Sequence, residues 1–74
     1  MSIADIRFQF EQAQISGDDE TAWWMALAII GRLRQAQRVG DWPTVKRLLP
    51  LSNSAETEFL KQLPQRIAAN GVVA

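Results

Sequence analysis

Two ten-residue stretches, QAQISGDDET at residues 12–21 and QAQRVGDWPT at residues 35–44, carry the same residue at six positions. In both stretches Gln-Ala-Gln is followed three residues later by a glycine, Gly17 or Gly40. Helices often end at a glycine, because glycine adopts the left-handed backbone conformation without a steric penalty. Each stretch therefore predicts the end of a helix.

An aspartate follows each glycine and predicts the start of the next helix. The carboxylates of Asp18 and Asp41 are placed to accept a hydrogen bond from the backbone N–H three residues on, at Thr21 or Thr44. Two similar corners would then connect three consecutive helices. Turn chemistry explains the glycine and the aspartate. The repeated Gln-Ala-Gln and threonine leave open an ancient duplication, as in a fragment of an α-solenoid.

Helical periodicity extends outward from both corners. Ser2 followed by Asp5 suits a helix N-terminus, and the strand-like alternation in IRFQF has no second strand with which to pair. The apolar positions of the first helix are Ile3, Ile6, Phe10 and Ala13. The predicted helices are one at residues 2–16, a second between Asp18 and Gly40, a third at residues 41–49, and a fourth that begins near Asn53 or Ser54.

Two prolines divide the C-terminal half in this prediction. A proline inside a helix removes a backbone hydrogen bond and clashes with the preceding turn. We therefore expect Pro50 to end the third helix, residues 51–54 to form a loop, and Pro64 to kink or divide the fourth helix. Gly71 should end that helix before a frayed tail at 71–74. Its expected apolar face comprises Phe59, Leu60, Leu63 and Ile67.

Composition limits both the size of the core and the available chemistry. Residues 1–74 are expected to form one domain, which is too short to bury a large core. The chain has neither Cys nor His, so it lacks disulfides, the usual zinc, iron and copper ligands, and the usual base for a serine nucleophile. No catalytic, cofactor-binding or metal-binding residue is assigned. Oligomerisation is the remaining way to stabilise so small a domain.

Length and hydropathy argue against a membrane protein. The longest apolar run, residues 22–30, is nine residues long, whereas about 20 are needed to cross a bilayer. The N-terminus MSIADIRFQF does not resemble a secretory signal. A cytoplasmic location is therefore expected.

Charge is balanced overall but unevenly distributed. The chain has eight basic and eight acidic residues, yet residues 5–20 have a net charge of −4 and residues 32–47 a net charge of +4. This pattern fits charges that complement helix dipoles on solvated faces. It also fits head-to-tail association, or an acidic partner for the basic half.

Adjacent tryptophans in the second helix are the main functional clue. The side chains of Trp23 and Trp24 should diverge by about 100° around the helix. Trp23 is expected to join the core stripe, and Trp24 a second face. The expected core stripe is Trp23, Ala26, Leu27 and Ile30, and the second face includes Ala28 and Gly31. Gly31, a weak helix former, is expected to mark close approach of another helix.

A helix that is apolar on most sides is either surrounded by its own chain or shared with a partner. This chain has few other helices to surround it, and tryptophan is enriched among interface hot spots. The predicted protein interface is Trp24, Met25, Ala28 and Ile29. In the alternative, both indoles pack internally.

Residues 36–49, AQRVGDWPTVKRLL, resemble the helix-turn-helix of bacterial repressors. The matching positions are Ala36, Gly40, Thr44, Val45, Arg47 and Leu49. The glycine-to-valine spacing is one residue shorter than in that family, and Pro50 should truncate the second helix. The resemblance implies DNA binding, with nucleic-acid contacts from Arg32, Arg34, Arg38, Lys46 and Arg47.

Together these observations predict an all-α bundle of three to four short helices that forms a homodimer through the second helix. The expected function is that of a small cytoplasmic, non-enzymatic protein-interaction module, an adaptor or inhibitor whose partner the sequence does not identify. The alternative is a helix-turn-helix transcriptional regulator.

Overall fold

The computed structural model describes residues 1–69, which form three helices and no strand. The helices are α1 (Ile3–Ser16), α2 (Asp19–Val39) and α3 (Trp42–Ala69). The predicted all-α bundle is confirmed, with three helices rather than four. The expected helix end at Gly71 and the tail at 71–74 lie outside the described residues.

The N-terminus of α1 is capped as its sequence predicts. The backbone N–H of Asp5 donates to Ser2 Oγ at 3.1 Å, and the N–H of Ser2 donates to the Asp5 carboxylate at 3.4 Å. Each side chain thus satisfies a backbone donor that the helix leaves unpaired. The expected apolar stripe is also correct, because Ile6, Phe10 and Ala13 are buried.

Both helix corners have the predicted glycine geometry. Gly17 has φ 74° and ψ 23°, and Gly40 has φ 74° and ψ 25°, both left-handed. The residue after each glycine donates its N–H to the carbonyl of the alanine in Gln-Ala-Gln. These distances are 2.9 Å to Ala13 and 2.8 Å to Ala36. Both alanines are buried, so a larger residue would separate the helices at the corner.

The aspartates cap the following helices as predicted. Asp18 accepts from the N–H of Thr21 at 3.1 Å, and Asp41 accepts from the N–H of Thr44 at 3.3 Å. The second cap has an additional bond, because Thr44 Oγ1 donates to Asp41 Oδ2 at 2.7 Å. The repeated threonine therefore supplies the capped N–H at both corners.

The prediction that Pro50 ends a helix is wrong. α3 continues through Pro50 and Pro64 to Ala69, and residues 51–54 are helical rather than a loop. Both prolines are exposed. The carbonyls that lose a donor, those of Lys46 and Leu60, belong to exposed residues and can bind water instead. Packing of the opposite side of α3 on the core outweighs the local cost of the prolines.

The core lies between α2 and its two neighbours. α2 packs against both α1 and α3, whereas α1 and α3 touch each other little. All three helices contribute to one apolar cluster, which comprises Ile6, Phe10, Ala26, Ile29, Leu48, Leu51 and Ala55.

The buried face of α2 agrees with the expected stripe only at Ala26. Small residues at positions 22, 26 and 36 flank the fully buried Ile29, while the larger Trp23, Leu27 and Ile30 of the expected stripe are only half-buried. Close packing between helices favours small side chains at buried positions. Size and hydropathy alone had favoured the large ones.

Two further expectations about packing are wrong. No atom beyond the local helix lies within 4 Å of a Cβ built on Gly31, so this residue marks no close approach of a helix in the described chain. In α3, the buried positions include Glu58 and Gln62, whereas Leu60 and Ile67 of the expected apolar face are 64% and 50% exposed.

Candidate interaction surface

Trp24 projects from the outer side of α2. Its side chain is 55% exposed, and its indole Nε1 donates to Glu20 Oε1 at 3.0 Å. The other oxygen of Glu20 accepts from Arg66 Nη1 at 2.8 Å. The bond from Arg66 and that from Trp24 lower the pKa of Glu20 below its ordinary value. Arg66 of α3 thus positions Glu20, and Glu20 in turn orients the exposed ring of Trp24.

Trp23 has a different environment, between α2 and α3. Its ring stacks on Phe59 with centroids 5.1 Å apart and planes 10° from parallel. The guanidinium of Arg66 lies 4.9 Å from the Trp23 ring centroid, in the geometry of a cation–π contact. Trp23 therefore packs within the chain, and the two adjacent indoles occupy distinct environments.

Trp24 is the only well-exposed member of the predicted interface. Met25 and Ala28 are half-buried and pack against the core cluster, and Ile29 is fully buried. Ile29 is therefore inaccessible to a partner in this structure, which corrects its assignment as an interface residue. The reason is the phase of α2, whose core face is centred near Ile29 rather than near Trp23.

An apolar groove of about 450 Å³ lies at the surface where α2 and α3 meet, next to the Trp23–Phe59 stack. Leu27 and Ile30 form its α2 wall, and Phe59 and Leu60 form its α3 wall. This groove was not expected from the sequence, because both pairs were assigned to buried faces. The spacing of Leu27 and Ile30 from Trp23, by four and seven residues, did contain the signal of a shared stripe.

Arg34 and Glu56 line the same groove on opposite walls, Arg34 on α2 and Glu56 on α3. Both residues are exposed. Within residues 1–69 neither one forms an ion pair with another side chain. The groove therefore combines apolar walls with two charged rims, a basic one at Arg34 and an acidic one at Glu56.

A buried carboxylate, Glu58, joins α1 to α3. The side chain of Glu58 is 5% exposed and accepts from Gln14 Nε2 at 3.3 Å and from Gln62 Nε2 at 2.7 Å. The bond from Gln62 lowers the pKa of Glu58 despite the opposing effect of burial, and Gln14 and Lys61 lower it further. Within residues 1–69, each buried side-chain nitrogen or oxygen has a hydrogen-bond partner, which offsets the cost of burying it.

Gln62 and Arg66 extend this polar cluster to the start of α2. Gln62 donates to the backbone carbonyl of Asp19 at 2.9 Å and accepts from Arg66 Nη2 at 2.8 Å. The spacing of Glu58, Gln62 and Arg66, four residues apart along α3, could have revealed a shared polar face. Because the cluster is fully hydrogen-bonded, its role is to fix the first corner against α3.

The cations proposed for nucleic-acid contact are all exposed. They are Arg32, Arg34, Arg38, Lys46 and Arg47. Arg32 and Arg34 differ by two positions on α2, so they point about 200° apart around the helix. Arg34 lines the groove, whereas Arg32 lines a separate depression beside Ile3. The structure therefore does not gather the five cations on a single surface.

Among residues 1–69, no group of three or more Asp, Glu, His or Cys side chains is arranged to hold a metal ion. No helix in this range has the length and hydropathy needed to cross a bilayer.

Comparison with known proteins assigns no family to this chain. No family model, curated protein or solved structure matches the chain.

Proposed function

We propose that this chain is a non-enzymatic protein-interaction module, an adaptor or inhibitor that acts by occupying a partner's surface through α2. The observation that carries the proposal is the exposed, oriented indole of Trp24. A tryptophan anchor contributes strongly to binding because it removes a large apolar area from water while losing little side-chain entropy.

The hydrogen bonds around Trp24 support this assignment. Glu20 bonds the indole nitrogen and is itself bonded by Arg66, so the ring is oriented before a partner arrives. Pre-orientation reduces the entropy that is lost on binding. Scattered apolar residues on a surface are common, but an exposed indole restrained by a second helix is better suited to recognition.

Self-association is part of the same proposal. The Cα radius of gyration is 13.2 Å, whereas about 11 Å is expected for a compact domain of this length. The molecule is flattened, with extents of 40 × 30 × 20 Å, so a large share of its surface remains available. We propose a homodimer at micromolar concentration, located in the cytoplasm.

The test is affinity capture from lysate of the native host with a tagged chain and two variants. Trp24→Ala removes the proposed anchor, and Trp42→Ala is the matched control because Trp42, the first residue of α3, is 63% exposed. We expect a specific protein to be captured by wild type and by Trp42→Ala, and lost with Trp24→Ala. Equal capture by all three chains would contradict a role for Trp24.

A second candidate function is DNA binding through residues 36–49. One observation favours it: Pro50 does not truncate α3, so the helix after the second corner is long enough to enter a major groove. Lys46 and Arg47, in the early turns of α3, are both exposed. These two cations, with Arg38 near the corner, would contact phosphates or base edges.

Salt dependence distinguishes the two functions. A protein with several phosphate contacts loses orders of magnitude in affinity as salt increases from about 50 to 200 mM. For an interaction module we expect no measurable binding to mixed-sequence duplex DNA even at low salt. Salt-sensitive binding that is lost in a Lys46→Ala, Arg47→Ala double variant would favour the regulator instead.

A further inference from the structure

The groove between α2 and α3 has the properties of a self-complementary surface. Its walls are apolar, its α2 rim carries Arg34 and its α3 rim carries Glu56. A uniformly acidic or basic segment would be attracted to one rim and repelled by the other. The best occupant therefore presents both charges in the reverse order.

We propose that the occupant is a second copy of the chain, related by a two-fold axis that runs along the groove. Such an axis places α2 of one copy opposite α3 of the other. Arg34 of one copy then faces Glu56 of the partner subunit, and symmetry repeats the pair. This inference deepens the self-association proposed above and depends on it.

The apolar residues of the groove also fit this two-fold arrangement of two copies. Leu60 is 64% exposed and protrudes from the α3 wall, while Leu27 and Ile30 are half-buried on the α2 wall. The two-fold axis brings Leu60 of one copy over the α2 wall of the other. The Leu60 side chains of the two copies are then both removed from water. Removing apolar area from water is the main driving force for association.

The size of the chain gives a reason for such a dimer. It has no disulfide to stabilise its fold and buries a core cluster of seven residues. Domains of this length commonly gain stability from oligomerisation. Because Trp24 lies on the outer side of α2 rather than in the groove lining, a groove dimer would display two Trp24 side chains to other proteins.

Charge reversal gives a sharp test by sedimentation equilibrium. Arg34→Glu makes both rims acidic, and Glu56→Arg makes both rims basic, so each variant alone should repel its own copy. An equimolar mixture of the two variants restores attraction at both pairs. We expect each single variant to raise the dimer dissociation constant by about tenfold or more, and the mixture to restore dimers.

Two controls separate this effect from misfolding and from nonspecific charge effects. Circular dichroism should show the wild-type helix content in both variants, because Arg34 and Glu56 are exposed. Arg47→Glu reverses an exposed charge on α3 that does not line the groove, and it should leave the dissociation constant unchanged. The double variant Arg34→Glu, Glu56→Arg should dimerise like wild type, because the pair is only exchanged.

Each experimental outcome that contradicts the proposed dimer overturns a different part of it. A wild-type dimer that is unaffected by either reversal would overturn the groove assignment while self-association stands. Two weakened variants that do not recover on mixing would overturn the two-fold pairing. A wild-type chain that remains monomeric at 8.3 kDa at high micromolar concentration would overturn both this inference and the proposed self-association. The capture experiment with Trp24→Ala would still test partner binding.

Discussion

Gly17 and Gly40, 23 positions apart, share the same left-handed backbone conformation to within 2° in ψ. Each ends a helix whose buried alanine accepts a hydrogen bond from the aspartate that follows the glycine. This equivalence explains why the two stretches share glycine, aspartate and alanine. The repeated glutamines have no common role in the two corners, because Gln14 donates to Glu58 of α3. The similarity therefore fits an ancient duplication as well as shared turn chemistry.

The first prediction concerns these glycines. Gly17→Ala and Gly40→Ala should each lower the free energy of unfolding by about 1 kcal/mol, because a side chain disfavours the left-handed conformation. Space is not the cause, since a Cβ on Gly17 would meet no atom within 4 Å and one on Gly40 only the Trp42 Nε1 at 3.9 Å. Urea denaturation monitored by tryptophan fluorescence measures the change.

Gly31→Ala is the matched control and should have the opposite sign. Gly31 lies within α2, is exposed, and leaves open space around a new Cβ. Alanine is the better helix former, so the substitution should stabilise the chain by up to about 1 kcal/mol. If all three substitutions acted in the same direction, backbone conformation would not be the reason that glycine occupies the two corners.

The corners could be predicted from the sequence because every interaction in them is local. A left-handed glycine, an N-capping aspartate and a capped threonine N–H all lie within ten residues of one another. The path of α3 could not be predicted in the same way. The penalty at Pro50 is local, but the burial of Leu48, Leu51 and Ala55 that overrides it involves helices distant in sequence.

The second prediction follows from the continuous α3. Pro50→Ala should raise the free energy of unfolding by about 1–3 kcal/mol, because it supplies the hydrogen bond that the Lys46 carbonyl lacks and removes a clash. Part of the gain is lost because alanine makes the unfolded chain more flexible. Thermal denaturation monitored by circular dichroism measures the effect.

The result of Pro50→Ala would also distinguish the two descriptions of this segment. If residues 51–54 formed a loop between separate helices, alanine at position 50 would give no additional helical hydrogen bond. The melting temperature would then stay the same or fall. Pro64→Ala is a second instance of the same change, since Pro64 is also exposed inside α3.

The third prediction is a loss of stability in acid that depends on Glu58. The pKa of Glu58 is lower in the folded chain than its ordinary value of 4.5, mainly because Gln62 bonds its carboxylate. A group whose pKa is lowered by folding stabilises the native state above its unfolded pKa. That contribution is lost as the pH falls from about 4.5 through the lower folded value.

Glu58→Gln should remove this part of the pH dependence. It should also cost about 1–2 kcal/mol at neutral pH, because an amide has one oxygen to accept the bonds that two carboxylate oxygens accept from Gln14 and Gln62. Urea denaturation at a series of pH values measures both effects. Glu11→Gln is the control, since the exposed pair of Glu11 with Arg7 contributes little. Identical acid profiles for wild type and Glu58→Gln would contradict the prediction.

The candidate surface was only partly predictable. Two adjacent indoles on a helix must diverge, so different environments for Trp23 and Trp24 followed from helix geometry alone. The groove did not follow, because its walls come from α2 and α3 and depend on the phase of each helix. That phase is set by which small residues allow close approach, and a shift of one position in α2 moved Ile29 into the core.

The last prediction concerns this pair of indoles. Trp23→Ala should lower the free energy of unfolding by about 2–3 kcal/mol, less than for a fully buried tryptophan, because Trp23 is half-buried. It removes the stack with Phe59 and the contact with Arg66. Trp23→Phe keeps an aromatic ring at this position and should recover much of the loss. Trp24→Ala should instead leave a folded chain of nearly wild-type stability, because its ring is 55% exposed.

Partner binding should show the reverse asymmetry. Trp24→Ala should weaken binding by about 2 kcal/mol or more, roughly 30-fold in dissociation constant. Trp23→Ala, measured well below its lowered melting temperature, should bind the partner nearly as tightly as wild type, because Trp23 contacts Phe59 and Arg66 within the chain. Isothermal titration with the captured partner, alongside denaturation of each variant, measures both quantities. If both alanine variants lost stability equally and neither affected binding, the indole pair would serve folding alone, and DNA binding through residues 36–49 would be the better explanation of the chain.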